Sequence, residues 1–276
     1  MRLLMRLTRR RIFVVGLVLL ALAVISAVFA PWVAPFSPQK MQVANRLAAP
    51  SAIHPFGTDE FGRDVLSRTI YGARLSLLVG FLVVVVSGVI GTAMGLVAGY
   101  VRSLDAALMR LTDAMMAFPD ILLAIALMAG LGPGLLNVVL ALGIVYTPRI
   151  ARIVRAATLI LRELQFIEAA EAIGATRSRI IMAHLLPNLV SPIIVQATFV
   201  FAYAILTEAA LSFLGVGVPP TVATWGNMIA SAQQVMQQAE WLILAPGIAI
   251  ALTVVSLQIF GDGLRDALDP RLRRVV

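Results

Sequence analysis

"LSLLVGFLVVVVSGVIGTAMGLVAG", Leu75–Gly99, has no charged residue in its whole length. As a helix it is about 37 Å long, more than the roughly 30 Å hydrocarbon core of a bilayer. A run of this kind reads as a membrane span. It also carries Ser87, Gly91, Gly95 and Gly99 at every fourth position. Such a ladder of small residues lines one helix face and lets a second helix come close.

The rest of the chain agrees with this reading. Of 276 residues 60% are hydrophobic, and the mean hydropathy is +0.95, well above the level of soluble domains. With no cysteine, disulfides, thiolate nucleophiles and Cys-ligated metals are excluded. His54 and His184 are the only histidines, too few for a His-based metal site, so no metal is expected. The formal charge of +8 admits a nucleic-acid partner. In a chain this apolar, however, it reads as the Lys and Arg excess of cytoplasmic loops, and no nucleic acid is expected.

The expected fold is all-α and polytopic, with six transmembrane helices and both ends inside. Residues 1–11 form a basic cytoplasmic N-terminus and 12–30 an uncleaved first span, longer than a signal-peptide core of roughly 7–15 residues. Residues 31–74 are an extracytoplasmic segment. In it, "FGTDEFGRDVLSRTIYG" (Phe56–Gly72) reads as a short amphipathic helix at the outer surface, capped by Thr58 or Asp59, with Asp64 and Arg68 as an i,i+4 pair. Residues 75–260 carry the other five spans: about 75–99, 111–131 with Pro119 as a kink, 135–150, 189–211 and 241–260. They enclose a loop at 151–188 and an outer segment at 212–240, and 261–276 form a cytoplasmic tail. In this arrangement only Lys40, Arg46, Arg63, Arg68 and Arg74 of the 22 Lys and Arg fall outside, as the positive-inside rule requires.

The loop contains "EAAEAIGATRSRIIMAHLLPN" (Glu168–Asn188), too long for a connection between antiparallel helices. Phe166–Ile173 is helix-prone. Gly174 can take the left-handed conformation that ends a helix, and Thr176 or Ser178 can cap a second helix running to Pro187. Phe166, Ala169, Ala170 and Ile173 form an apolar face that calls for a partner.

Glu168-Ala169-Ala170, Gly174 and Leu186-Pro187 resemble the EAA loop of ABC importer permeases. "FGTDEFGRDVLSR" (56–68), "SFLGVG" (212–217), "WG" (225–226) and "GDGLRDALDPR" (261–271) are similar to the dipeptide/oligopeptide/nickel branch, and within it to the C-type subunit. His184 departs from the general pattern, which has isoleucine there. The resemblance implies a type I importer permease fold in a bacterial or archaeal plasma membrane (the inner membrane of a Gram-negative cell). It also implies a second homologous permease subunit, two ATPase subunits that bind the ATP, and an extracytoplasmic substrate-binding protein. Peptides are the cargo implied; nickel, opines, glutathione and certain sugars are carried by similar proteins. Phe166, Glu168, Ala169, Ala170, Gly174 and Pro187 would form the coupling lever that docks on the ATPase.

No nucleotide motif, HExxH or GxSxG is present, so no catalytic residue and no cofactor are expected. Asp120, beside Pro119, either faces the translocation path or satisfies backbone groups freed by the kink. Glu208 is a second path candidate, with snorkelling or a cap on the outer segment as the plain alternative, and Asp113 is expected to pair with Arg110. Trp225 and Gly226 are candidates for an outer gate or binding-protein contact, with an interfacial anchor as the alternative. An ion-driven secondary carrier is the competing class, but one mid-span acid and no internal repeat argue against it.

Overall fold

The structure, a computed structural model, describes residues 11–268. Arg2, Arg6, Arg9 and Arg10 and the tail arginines 271, 273 and 274 lie outside the described residues. The helices are α1 (Arg11–Val28), α2 (Val65–Tyr100), α3 (Arg102–Met116), α4 (Asp120–Leu131), α5 (Leu135–Leu161) and α6 (Gln165–Ala172), then α7 (Arg177–Phe213), α8 (Trp225–Ala232) and α9 (Trp241–Leu268). Among the described residues there is no strand, only an isolated bridge between Thr58 and Asp64. In hydrocarbon each backbone N–H and C=O must be satisfied within its own segment, which long helices achieve.

Among the described residues five helices are long and apolar enough to cross a membrane: α1, α2, α5, α7 and α9. The sixth span is not a kinked rod. α3 and α4 meet at 93°, and Pro119 is the N-cap of α4 with ψ 132°. Pro restricts the residue before it to extended backbone and cannot donate to a continuing helix. The chain therefore turns a corner at Ala117–Pro119, with Asp120 opening the next helix.

α2 is the spine, and α5 is its main partner. A Cβ added at Gly91 would lie 2.8 Å from the Thr147 carbonyl, one at Gly95 2.5 Å from that of Ala151, and one at Gly99 2.6 Å from Thr158 Cβ. The ladder is thus a backbone-to-backbone seam, and Gly143 on α5 meets Val86 in the same way. Lipid tails are as apolar as leucine, so this close dispersion contact, not exclusion from water, holds the pair together. Ile150 and Val154, which face Gly91 and Gly95 in the seam, join Ile167, Ile180, Leu185 and Leu189 in the principal core. α1 and α9 add a second layer, with Phe13 stacked on Phe260 at 5.7 Å.

Three expectations need correction. First, Phe56–Gly72 is not an amphipathic surface helix. Residues 56–64 are a folded loop, and Val65 already opens α2. Neither Thr58 nor Asp59 caps it: Asp64 does, accepting from the Ser67 N–H at 2.8 Å and contacting His54 Nδ1 at 2.9 Å. Arg68 is buried and turns to Asp59 (3.4 Å), which also holds Arg63 at 2.6 Å. Gly57 and Gly62, both at φ 71°, make the turns that fold these charges inward, where each needs a partner to offset its lost hydration. Second, α5 and α9 run past the expected span ends at 150 and 260, so the arginines of α5 sit on a helix and not in a loop. Third, Pro187 does not end a helix: α7 passes through it, widened to a π-helix over Ile180–Leu185. The wide turn relieves the clash between a proline ring and the carbonyl four residues back.

The cap supports a first prediction. Asp64→Ala removes both the cap of α2 and the partner of buried His54. It is expected to cost the purified complex about 1–2 kcal/mol, read as a lower melting temperature, while Asp64→Asn retains most of the cap.

Candidate functional site

α6 crosses the arginine-rich end of the molecule. Its ends are built locally. Gly174 takes φ 82°, and the Gly174 and Ala175 N–H groups donate to the carbonyls of Glu171 (2.9 Å) and Ala170 (3.0 Å). This is the double hydrogen bond of a Schellman C-cap. Thr176 then caps α7 by accepting from the Arg179 N–H at 3.4 Å. The reversal sets the angle between the short helix and the long one.

The two faces of α6 differ. Ile167 is 1% exposed and Ala170 is 6% exposed, both packed in the core with Ile180 and Leu185. Ala170 therefore belongs to the inward face, not to the exposed apolar face expected for it. Phe166 is partly exposed and tilts over His184 at 6.4 Å. Glu168 and Ala169 are exposed, and Ile173 is 87% exposed. Among the described residues this isoleucine is left almost uncovered.

Side chains from other elements fix α6 in place. Tyr100, the last residue of α2, donates its hydroxyl to Glu171 Oε1 at 3.0 Å. Arg162, at the end of α5, donates to the Gly99 carbonyl at 2.8 Å. A cavity of about 490 Å³ lies between these parts, lined by Tyr100, Arg102, Arg162, Glu168, Glu171 and Arg177 among others. Displacing α6 thus pulls on α2 through Tyr100 and on α7 through the turn at Gly174. Ile167 had a legible signal, its three-residue spacing from Ala170. The Tyr100–Glu171 bond, across 71 positions, had none.

A row of ion pairs joins the broken span to α5. Arg155 holds Asp105 (2.6 Å through Nη2), Arg152 holds Asp113 (2.6 Å), and Arg149 holds Asp120. Asp113 therefore pairs across to α5, not with Arg110. The three arginines stand three residues apart on one face of α5, within reach of α3 and α4. Asp120 and Arg149 are each about one-third exposed.

Glu208 and Trp225 lie at the opposite end, and neither snorkels. Glu208 is 0% exposed. Its Oε1 accepts from Ser212 at 2.9 Å, Oε2 has no hydrogen-bond partner, and the Ser76 and Thr224 hydroxyls are its polar neighbours. Trp225, 2% exposed, donates through Nε1 to the Thr69 carbonyl at 2.9 Å and through its backbone N–H to Ser76 Oγ at 3.2 Å. Gly226 lies flat on α7, where a Cβ would come 2.6 Å from the Ala209 Cα. Together they pin α8 into the crevice between α2 and α7. Trp225 itself is almost wholly covered there.

Known proteins share this arrangement. Residues 87–274 match the family model of the binding-protein-dependent transport system inner membrane component, and residues 2–50 match the N-terminal TM domain of oligopeptide transport permease C. The dipeptide transport system permease protein DppC of Alkalihalophilus pseudofirmus is 47% identical over 97% of this chain and 88% of its own length. The di/tripeptide transport system permease protein DppC of Pseudomonas aeruginosa is 46% identical over 94% and 88%. A chain of the MetNI methionine ABC transporter, solved in inward-facing conformations, superposes with a TM-score of 0.60 over 74% of this chain and 97% of its own, at 22% identity, and so shares the fold. A spine-and-seam bundle with a short helix crossing its arginine-rich end is therefore the frame of a known transporter class, and this chain belongs to the binding-protein-dependent transport system inner membrane components, the integral-membrane permease subunits of ABC importers.

Proposed function

We propose that this chain is one half of the translocation channel of a peptide importer and does no catalysis itself. A second, homologous permease subunit completes the channel. Two ATPase subunits on the cytoplasmic side bind the ATP, and an extracytoplasmic binding protein delivers the peptide. The peptide cargo is supported by relatives that are named for dipeptides and di/tripeptides and align over nearly the whole chain. Phe166, Glu168, Ala169 and Ile173 form the docking face of the coupling helix, Gly174 fixes its angle, and Pro187 marks the widened turn through which its motion enters α7. Orientation follows the arginines, which place this end in the cytoplasm.

One observation carries the docking role: Ile173 stands 87% exposed beside a firmly packed Ile167. Exposed apolar residues mark a protein contact when they cluster, and Phe166, 41% exposed, stands on the same short helix as Ile173. The absence of cysteine makes the test clean. An Ile173→Cys variant, assembled with its partners, is expected to crosslink to an ATPase subunit through a short bifunctional thiol reagent, with the yield changing on ATP addition. A label at the same cysteine that reacts only from the extracytoplasmic side would overturn both the orientation and the docking role.

A further inference from the structure

We infer that Asp120 and Arg149, with Tyr203 beside them, form a transit subsite on the translocation path for the charged ends of a zwitterionic peptide. The inference rests on the peptide reading above.

The starting point is depth. Arg149 lies about 21 Å along α5 from Leu135, Asp120 about 16 Å along α4 from Leu131, and Tyr203 about 15 Å along α7 from Phe213. Each distance is measured from the helix end opposite the coupling helix. With those ends set at the outer surface of a hydrocarbon core of about 30 Å, the cluster is short of either surface. Even so, the Asp120 and Arg149 side chains are 33% and 30% exposed, and Tyr203 is 42% exposed. Charged groups at such depth do not face lipid. They face a neighbouring subunit or a water-filled passage. The Arg152–Asp113 pair lies one turn further along α5, nearer the arginine-rich end, and is more exposed, at 43% and 61%.

The chemistry suits a passage. The Arg149 guanidinium lies 4.9 Å from the Tyr203 ring centroid and 5.5 Å from that of Tyr146. Tyr146 is itself fixed by a 2.6 Å hydrogen bond to Thr207. The two rings hold the guanidinium in place whether or not Asp120 is bound to it. With the path empty, the pair neutralises itself. A zwitterion can replace each half, its carboxylate on Arg149 and its ammonium on Asp120, without leaving an unpaired charge in low dielectric. Because the internal pair must open first, the ligand is held weakly, as a transit site requires. Side-chain identity is not read at all, which fits a carrier of varied sequences.

The test uses the complete transporter in proteoliposomes, with its binding protein and a radiolabelled dipeptide bearing free ends. Asp120→Asn and Arg149→Gln are each expected to lower uptake about tenfold at limiting dipeptide, the loss of one charge-assisted contact. The double variant, which restores a neutral hydrogen-bonded pair, is expected to remain low. A photoreactive benzoylphenylalanine in place of Tyr203 is expected to capture the dipeptide during ATP turnover. Wild-type uptake by the double variant, or capture of only the second permease subunit or lipid, overturns the subsite and leaves a structural tie. An unaltered complex that imports no dipeptide overturns the peptide reading itself, and the subsite with it.

Discussion

Gly95→Ile is expected to remove folded permease from the membrane, whereas Gly88→Ala is expected to be silent. Both glycines belong to α2, seven residues apart, so helix propensity and hydrophobicity treat them alike. Their surroundings differ. A Cβ at Gly95 would meet the Ala151 carbonyl at 2.5 Å and Val154 Cβ at 2.7 Å, and a Cβ at Gly88 would meet nothing within 4 Å. A backbone carbonyl cannot rotate away, and isoleucine adds two branches beyond the clashing atom. The two helices must separate along the seam, which loses dispersion contacts at Gly91 and Gly99 as well. Overpacking of a tight core costs about 1–3 kcal/mol, occasionally more, out of a total stability of about 5–15 kcal/mol. Gly95→Ile belongs at the upper end, because no flexible side chain can give way. Membrane-fraction yield and the melting temperature of the purified complex read the outcome. A normal yield of Gly95→Ile would show that α2 and α5 do not pack along this seam.

The second large effect separates two isoleucines six residues apart on the coupling helix. Ile167→Asp places a carboxylate in the core with no cation to pair it, a change that destabilises by several kcal/mol, and the chain is expected to be degraded. Ile173→Asp is expected to leave the chain folded, because that side chain is 87% exposed. If Ile173 is buried on the ATPase, losing it forfeits about 1.5–3 kcal/mol of apolar contact, which is more than about tenfold in affinity. Normal amounts of Ile173→Asp protein should then accompany ATP-driven uptake near background. Uptake at the wild-type rate would remove Ile173 from the docking face, and equal loss of both variant proteins would mean that Ile173 serves folding instead.

Several elements could be read directly along the chain. The ladder at Ser87, Gly91, Gly95 and Gly99 announced a packing face, because helical periodicity brings every fourth residue to one side. The turn at Gly174 was equally legible, since only glycine is at ease at φ 82°. Other elements were misread for physical reasons. Pro119 gives the same sequence signal for a 20° kink as for the 93° corner observed, and only the packing of α4 against α5 chooses between them. The alternation of charge and apolar residues in Phe56–Gly72 suits an amphipathic helix. The same charges are instead turned inward on one another, through contacts as distant in sequence as Arg68 to Pro38 (3.4 Å).

By itself the sequence determined that this chain lives in a membrane, which long apolar runs are able to cross it, which face of α2 is crowded, and that a helix–glycine–helix reversal interrupts the spans. Those properties follow from local length, periodicity and backbone freedom, all carried by neighbouring residues. Only the tertiary structure decided that Ile167 and Ala170 point inward while Ile173 stands bare, that Tyr100 ties α6 to the spine, that Trp225 and Glu208 are buried, and that Asp120 meets Arg149. Each depends on contacts between residues far apart in the chain, and such contacts exist only once the helices have packed.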